Sequence, residues 1–174
     1  TMEYIEGVDF LEWVRPYNLL LGERETDLLR LRNALEQLVR GLATLHLTGH
    51  LHRDIKPSNV LVNRSGRLTI LDFGLATRLA SSEDRDVRGI SGTLEYMAPE
   101  QASGSSVDHR ADVYSTGVIA FELLTGELPF TAVSPMQILL AKTRSEPRML
   151  AEVAVAPELL PAKLNDVMAR ALAR

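Results

Sequence analysis

Four polar side chains in two short stretches are of the types that could carry out phosphoryl transfer. "HRDIKPSN" carries Asp54, Lys56 and Asn59, and "LDFG" carries Asp72. The reaction needs a carboxylate to orient the attacking hydroxyl, a cation to offset charge on the moving phosphate, and oxygen ligands for Mg²⁺. Asp54, Lys56 and Asn59 can supply one each. Asp72 adds a second hard oxygen ligand, which suits Mg²⁺ better than Zn²⁺.

A short β-hairpin is predicted between these two stretches. Two β-prone runs, at 60–62 and 68–71, flank the turn "NRSG". Pro57 excludes a regular helix in the first stretch. Because a hairpin returns the chain, it can bring Asn59 and Asp72 together.

Helices are predicted for most of the remaining chain. After Thr26, the predicted N-cap, leucines recur at steps of three and four until Gly49. "ADVYSTGVIAFELLTG" is apolar almost all round, which predicts a buried helix ended by Gly126. Ser134 is predicted to cap a further helix, and "PAKLNDVMARALAR" forms the last one. Residues 76–96 are polar and predict a long loop, so the expected fold is mainly α with a small β-hairpin.

The composition is that of one ordinary globular domain. The chain has 174 residues, of which 45% are hydrophobic and 24% charged. A net charge of −4 argues against bulk affinity for nucleic acid or anionic membranes. The absence of cysteine excludes disulfides, thiolate metal sites and thiol nucleophiles. No apolar run approaches the roughly 18 residues of a membrane span, so we expect no membrane segment and a cytoplasmic setting.

The order of the motifs carries more information than any one of them. Alone, "HRD" fits a surface turn and "DFG" fits an Asx turn after a strand. Here "HRDxxxxN", a hairpin, "DFG", a long polar loop and "APE" follow one another in matching contexts. The chain resembles the large, C-terminal lobe of the bilobal α+β fold of eukaryotic-type (Hanks-type) serine/threonine protein kinases, in the style of bacterial members.

The resemblance divides the chain into a hinge region at 1–9 and a C-terminal lobe at 10–174, with an activation segment at 72–100. The small N-terminal lobe is absent from this sequence. In the family that lobe holds a Gly-rich loop and a strand lysine that contact the phosphates. We therefore expect this chain to be inactive in isolation and to need its own N-lobe as a partner.

The resemblance also implies a nucleotide site for ATP at the start of the chain. Met2 would be the gatekeeper, and the backbones of Glu3 and Ile5 would meet the adenine edge. Asp9 would lie near the ribose. Leu61 would form the floor under the adenine.

For the chemical step, the resemblance assigns a role to each polar residue of the two stretches. Asp54 would be the catalytic aspartate and Lys56 would contact the γ-phosphate. Asn59 and Asp72 would bind Mg²⁺. Thr93 would bond to Asp54 and Lys56 and tune the site for Ser and Thr hydroxyls of protein substrates.

Several supporting residues follow the same match. His52 and Phe73 would stack in the core beside the site, anchored by Asp112. Glu122 occupies a position that some relatives use to hold a basic residue of the substrate, although a helix Glu is more often a solvated face.

Arg53 suggests control through the activation segment. In relatives of this kind a phosphate on that segment pairs with the arginine and orders it. The candidate phosphorylation sites are Ser81, Ser82 and Ser91. The acids between 83 and 86 offer an alternative, in which they partly replace the phosphate.

Two other classes of protein compete with an active kinase. A nucleotide-binding pseudokinase or signalling scaffold commonly lacks a catalytic or metal-binding residue, but Asp54, Asn59 and Asp72 are all present. Small-molecule phosphotransferases share part of the motif logic. The stretch "GTLEYMAPE", which resembles a platform for an acceptor peptide, argues against them.

Overall fold

The computed structural model describes residues 5–18, 23–24, 26–72, 94–153, 160–161 and 163–173. Within these ranges the chain is mostly helical, with one three-stranded and one two-stranded antiparallel sheet. The strands are β1 (Val8–Asp9), β2 (Tyr17–Asn18), β3 (Glu23–Arg24), β4 (Val60–Val62) and β5 (Leu68–Ile70). The helices are α1 (Phe10–Val14), α2 (Leu28–Leu47), α3 (Pro99–Ser103), α4 (Arg110–Thr125), α5 (Pro135–Arg144), α6 (Leu150–Val153) and α7 (Leu164–Ala171). The predicted fold class, mainly α with a small β component, is confirmed.

The predicted hairpin is present and gains a third strand. Strands β4 and β5 pair with Val60 opposite Ile70, and β1 adds to the other edge of β4 with Asp9 opposite Leu61. A strand of two residues is too short to show the alternation by which strands are recognised. The third strand therefore forms through a long-range contact that the local sequence does not indicate.

Helix α2 begins one residue later than predicted, because Asp27 caps it. The Asp27 side chain accepts hydrogen bonds from the backbone N–H groups of Leu29 (3.1 Å) and Arg30 (3.0 Å). The hydroxyl of Thr26 instead donates to the carbonyl of Leu123 at 2.8 Å. The prediction of Thr26 as N-cap was wrong, since both residue types can cap a helix and a tertiary contact to α4 engages the threonine.

Helix α4 is buried on nearly every side, as its apolar sequence predicted. Val118, Ile119 and Phe121 have no exposed surface, and Gly126 ends the helix in the left-handed conformation at φ 80°. Among the described residues, this helix contributes to two hydrophobic clusters, one shared with α1, α2 and β4 and the other with α5, α6 and α7.

The remaining helix predictions also hold. Ser134 caps α5 by accepting from the backbone N–H of Gln137, and α7 lies within the predicted last helix. Most of the predicted loop at 76–96 lies outside the described residues. Among the residues that are described, no helix combines the length and apolar character needed to cross a bilayer.

Candidate active site

The loop before β4 brings together three of the predicted site residues. The Lys56 Nζ lies 2.9 Å from the Asp54 Oδ2. The Asn59 side-chain amide donates to the Asp54 carbonyl at 2.8 Å and to its Oδ2 at 2.9 Å. A single 3₁₀ turn, Pro57–Asn59, curls the loop so that these contacts form. One carboxylate is thus held by an ammonium and an amide, with its geometry fixed from within the loop.

The backbone around Leu71 places Asp72 beside this loop. The N–H of Leu71 donates to the carbonyl of Asn59 at 2.8 Å, and the Leu71 carbonyl lies 2.7 Å from the Nε2 of His52. The hairpin therefore closes directly onto the loop that carries Asp54. The residue after Leu71 is Asp72, whose side chain is exposed.

Two residues of this region have a backbone conformation that side chains disfavour. Arg53 has φ 66° and Asp72 has φ 57°, and the described part of the chain shows no other non-glycine residue at positive φ. Such conformations persist only where surrounding contacts impose them, and they cluster at functional sites. Here the Arg53 N–H donates to Asp112 at 2.8 Å, and its carbonyl accepts from Gln101 at 2.8 Å.

Asp112, at the start of α4, anchors the loop that carries Asp54. Its carboxylate is almost completely buried and accepts from the backbone N–H groups of His52 (2.9 Å) and Arg53 (2.8 Å). The same carboxylate lies 2.8 Å from the Nε2 of His46 on α2. The loop is therefore tied to two helices at once through one side chain.

The predicted nucleotide residues are described in part. Asp9 and Leu61 are directly opposite each other in the sheet, and Ile5 lies shortly before β1. The Asp9 Oδ1 also accepts from the N–H of Glu12 at 2.8 Å, which makes Asp9 the N-cap of α1. A structural role for Asp9 therefore accompanies any contact with a nucleotide.

Several predicted residues lie outside the described part of the chain. These are Met2, Glu3, Phe73, Ser81, Ser82, Ser91 and Thr93.

Arg53, which was predicted to meet a phosphate, has a buried Nε without a hydrogen-bond partner among the described residues.

Glu122 contacts a tyrosine of this protein. The Tyr96 hydroxyl donates to its carboxylate at 2.7 Å. Burial raises the pKa of Glu122, and the Tyr96 hydrogen bond opposes that shift. Burial, together with the Glu122 charge, also raises the pKa of Tyr96. Glu122 therefore does not lie on a freely solvated face of α4. The sequence had favoured such a face for this residue.

Two residues that the sequence did not single out, Gln101 and Lys142, hold the stretch before α3. Gln101 accepts from the N–H of Ala98 at 3.2 Å while its amide donates to Arg53. Lys142 is almost fully buried and donates to three backbone carbonyls of residues 94–97. One signal was available, because Lys142 follows the buried Ile138 by four positions and so lies on the apolar face of α5.

The oxygen donors of Asn59 and Asp72 suit a hard cation better than a transition metal. No group of three or more His, Cys, Asp and Glu side chains with the arrangement of a metal site occurs in the described ranges. A metal at this place would therefore rely on these two side chains and on ligands from outside the protein, such as phosphate oxygens and water.

The fold and the match described next define the class of protein: the chain belongs to the protein kinase family. The protein kinase domain matches residues 1–171. Relatives include serine/threonine-protein kinase PrkC of Bacillus subtilis, 37% identical over 84% of this chain, and PknB of Mycobacterium tuberculosis, 34% identical over 100% of it. Serine/threonine-protein kinases drp72 of Corynebacterium efficiens is 37% identical over 99% of the chain. The chain spans 22%, 27% and 32% of the lengths of these three proteins, respectively.

Proposed function

We propose that the protein containing this chain transfers the γ-phosphoryl group of ATP to Ser and Thr hydroxyls of proteins. The observation that carries the proposal is the convergence of Lys56 and Asn59 on the carboxylate of Asp54, with the end of the hairpin bonded to the same loop. The names of the relatives as serine/threonine-protein kinases support it.

Asp54 orients the attacking hydroxyl and accepts its proton. Its carboxylate is prepared for this role because two neighbouring donors, Lys56 and Asn59, fix its position. Lys56 also offsets negative charge on the moving phosphoryl group. Thr93 completes the set in this proposal by bonding to Asp54 and Lys56.

Asn59 and Asp72 are proposed to hold Mg²⁺. The amide nitrogen of Asn59 is engaged by Asp54, which leaves the amide oxygen as its metal-binding atom. Asp72 contributes an exposed carboxylate at the end of the hairpin. When bound, Mg²⁺ neutralises charge on the phosphates.

The nucleotide base is proposed to lie over β1 and β4. Leu61 provides the floor, Asp9 approaches the ribose, and the 1–9 hinge, with Met2, Glu3 and Ile5, borders the adenine. The Gly-rich loop and strand lysine of the family have no counterpart in this sequence. We therefore propose that activity requires an N-lobe joined at the hinge. We also propose that the reaction uses cytoplasmic ATP.

The test is radiolabel transfer from ATP to myelin basic protein by the full-length protein that contains this chain. Asp54→Asn is expected to lower turnover by about 10²-fold or more, because a general base contributes about that much. The matched control is Asp108→Asn, since Asp108 is an exposed residue of the loop before α4. Its turnover should equal that of the wild type.

Phosphate transfer by the wild type separates the kinase from the pseudokinase alternative. A pseudokinase would bind ATP without transferring phosphate, whereas a kinase would lose transfer but keep ATP binding in Asp54→Asn. Equal turnover in wild type and Asp54→Asn would remove Asp54 from its role.

A further inference from the structure

One ammonium group holds the segment at 94–98, which we call the platform segment. Lys142 on α5 donates to the carbonyls of Leu94 (2.9 Å), Glu95 (2.5 Å) and Met97 (2.8 Å). An ammonium has three donors, so the platform segment uses all of them. Lysine is rarely buried, yet only 1% of Lys142 is exposed.

Burial disfavours a cation at this place, and two neighbouring groups offset part of that cost. Its Nζ lies 5.2 Å from the ring centroid of Tyr114 on α4, within cation–π range. The Glu95 carboxylate of the platform segment opposes the loss of charge. These are the ionisable groups that the structure shows acting on the amine, one from each of two elements.

The platform segment is bonded in turn to the loop that carries Asp54. Ser115 donates to the carbonyl of Tyr96 at 2.8 Å, which fixes the middle of the segment on α4. At its end, the N–H of Ala98 donates to Gln101, and Gln101 donates to the carbonyl of Arg53. Arg53 directly precedes Asp54. The platform segment is therefore anchored at three places: on α5 by Lys142, on α4 by Ser115, and through Gln101 on the loop that carries Asp54.

We propose that Lys142 is a positioning residue for the protein substrate: by tying three carbonyls of the platform segment to α5, it fixes the surface on which the acceptor hydroxyl approaches Asp54. This inference rests on the proposed function. All three donors of Lys142 are used by the platform segment, so we assign it to holding that segment and not to contacting the nucleotide or the reacting atoms. Its removal should thus weaken substrate binding and leave the nucleotide site intact.

The experiment compares steady-state kinetics of the full-length wild type and Lys142→Met, with myelin basic protein as substrate. We expect KM for the protein substrate to rise about tenfold, while KM for ATP stays unchanged and kcat stays within about threefold of the wild type. This pattern is expected when a mutation removes binding energy that the substrate and the transition state share equally. Lys142→Arg, which keeps the charge and several donors, should recover most of the lost affinity. Lys163→Met, at an exposed position before α7, is the control and should match the wild type.

The pH dependence gives a second readout. Burial lowers the pKa of Lys142 to about 7. Above that pH the neutral amine has two donors for three carbonyls, so one carbonyl loses its bond. The ratio of the substrate KM of wild type to that of Lys142→Arg should therefore increase between pH 6.5 and 8.5, because arginine stays charged.

Each outcome of these experiments either supports or overturns the inference. An unchanged substrate KM in a folded Lys142→Met, or a fall in kcat alone, overturns the inference and leaves the proposed function standing. If the wild type transfers no phosphate, the proposed function fails and the inference fails with it. Should Lys142→Met not fold, as judged by its thermal transition, Lys142→Gln retains an amide donor and takes its place under the same criteria.

Discussion

Glu122 on α4 is a partly buried acid whose hydrogen-bond partner lies within the protein. Glu122 was expected to contact either solvent or substrate, and it accepts a hydrogen bond from Tyr96. Burial is the main cause that raises its pKa, and the carboxylates of Glu95 and Asp9 add to the shift, while Tyr96 and Arg15 oppose it. Ionised Glu122 is therefore less favourable in the folded protein than in the unfolded chain.

This environment predicts a pH-dependent effect of Glu122→Gln. With a raised pKa, the folded state binds the proton more tightly, so the wild type loses stability as pH rises from the ordinary carboxyl pKa through the folded one. Glutamine mimics the protonated acid and keeps an acceptor for Tyr96. The variant should match the wild type near pH 4 and exceed its melting temperature by a few degrees at pH 8, as about 1 kcal/mol does in a domain of this size.

Thermal unfolding of both full-length proteins from pH 4 to 8 measures this difference. Glu36→Gln is the control, because Glu36 is an exposed helix residue that pairs with Arg40 at the surface. A Glu122→Gln variant that becomes progressively less stable than the wild type as pH rises would contradict the assigned effect of burial.

Helix ends show how elements are fixed by single side chains. Asp27 accepts two backbone N–H bonds at the start of α2 and lies 3.3 Å from the Nε of Arg30. The adjacent Thr26 is bonded to α4 through Leu123. Consecutive residues thus set the start of α2 and its attachment to the central helix.

We predict that Asp27→Ala lowers the free energy of unfolding by about 1 kcal/mol, the usual value of an N-cap. Asp27→Asn should retain most of the stability, since asparagine caps helices about as well. Chemical denaturation of the full-length variants measures both changes. Equal losses in the two variants would show that the charge of Asp27, rather than its capping bonds, stabilises the helix.

At the scale of the whole molecule, helix α4 joins two hydrophobic clusters of the described residues. Leu35, Tyr96 and Leu124 pack against both clusters, and α4 contributes buried residues to each. Asp112 projects from the first turn of α4 to the loop that carries Asp54. Stability and site geometry are therefore coupled through the central helix.

We predict that Asp112→Asn destabilises the protein and disables the site together. Its amide can present only one acceptor oxygen, so at least one buried N–H, of His52 or Arg53, loses its partner at a cost of about 1–3 kcal/mol. The melting temperature should fall, and turnover measured well below it should also drop. Asp108→Asn, near the start of the same helix, is the control for both measurements. A normal melting temperature in Asp112→Asn would disprove the anchoring role.

Much of the fold was predictable because its signals are local. The apolar run of α4, the leucine periodicity of α2 and the serine cap of α5 each depend on residues close in sequence. The choice between Thr26 and Asp27, and the pairing of β1 with β4, depended on contacts with distant elements. Local patterns carry no information about such partners.

By itself, the sequence determined the family, the order of the elements and which side chains could handle phosphate, because motif spacing and hydrophobic periodicity are properties of the chain alone. Only the tertiary structure decided how Lys142 and Glu122 are used. Whether a charge faces water, a substrate or a buried carbonyl depends on which elements pack against it, and those neighbours are up to about fifty positions away in the chain.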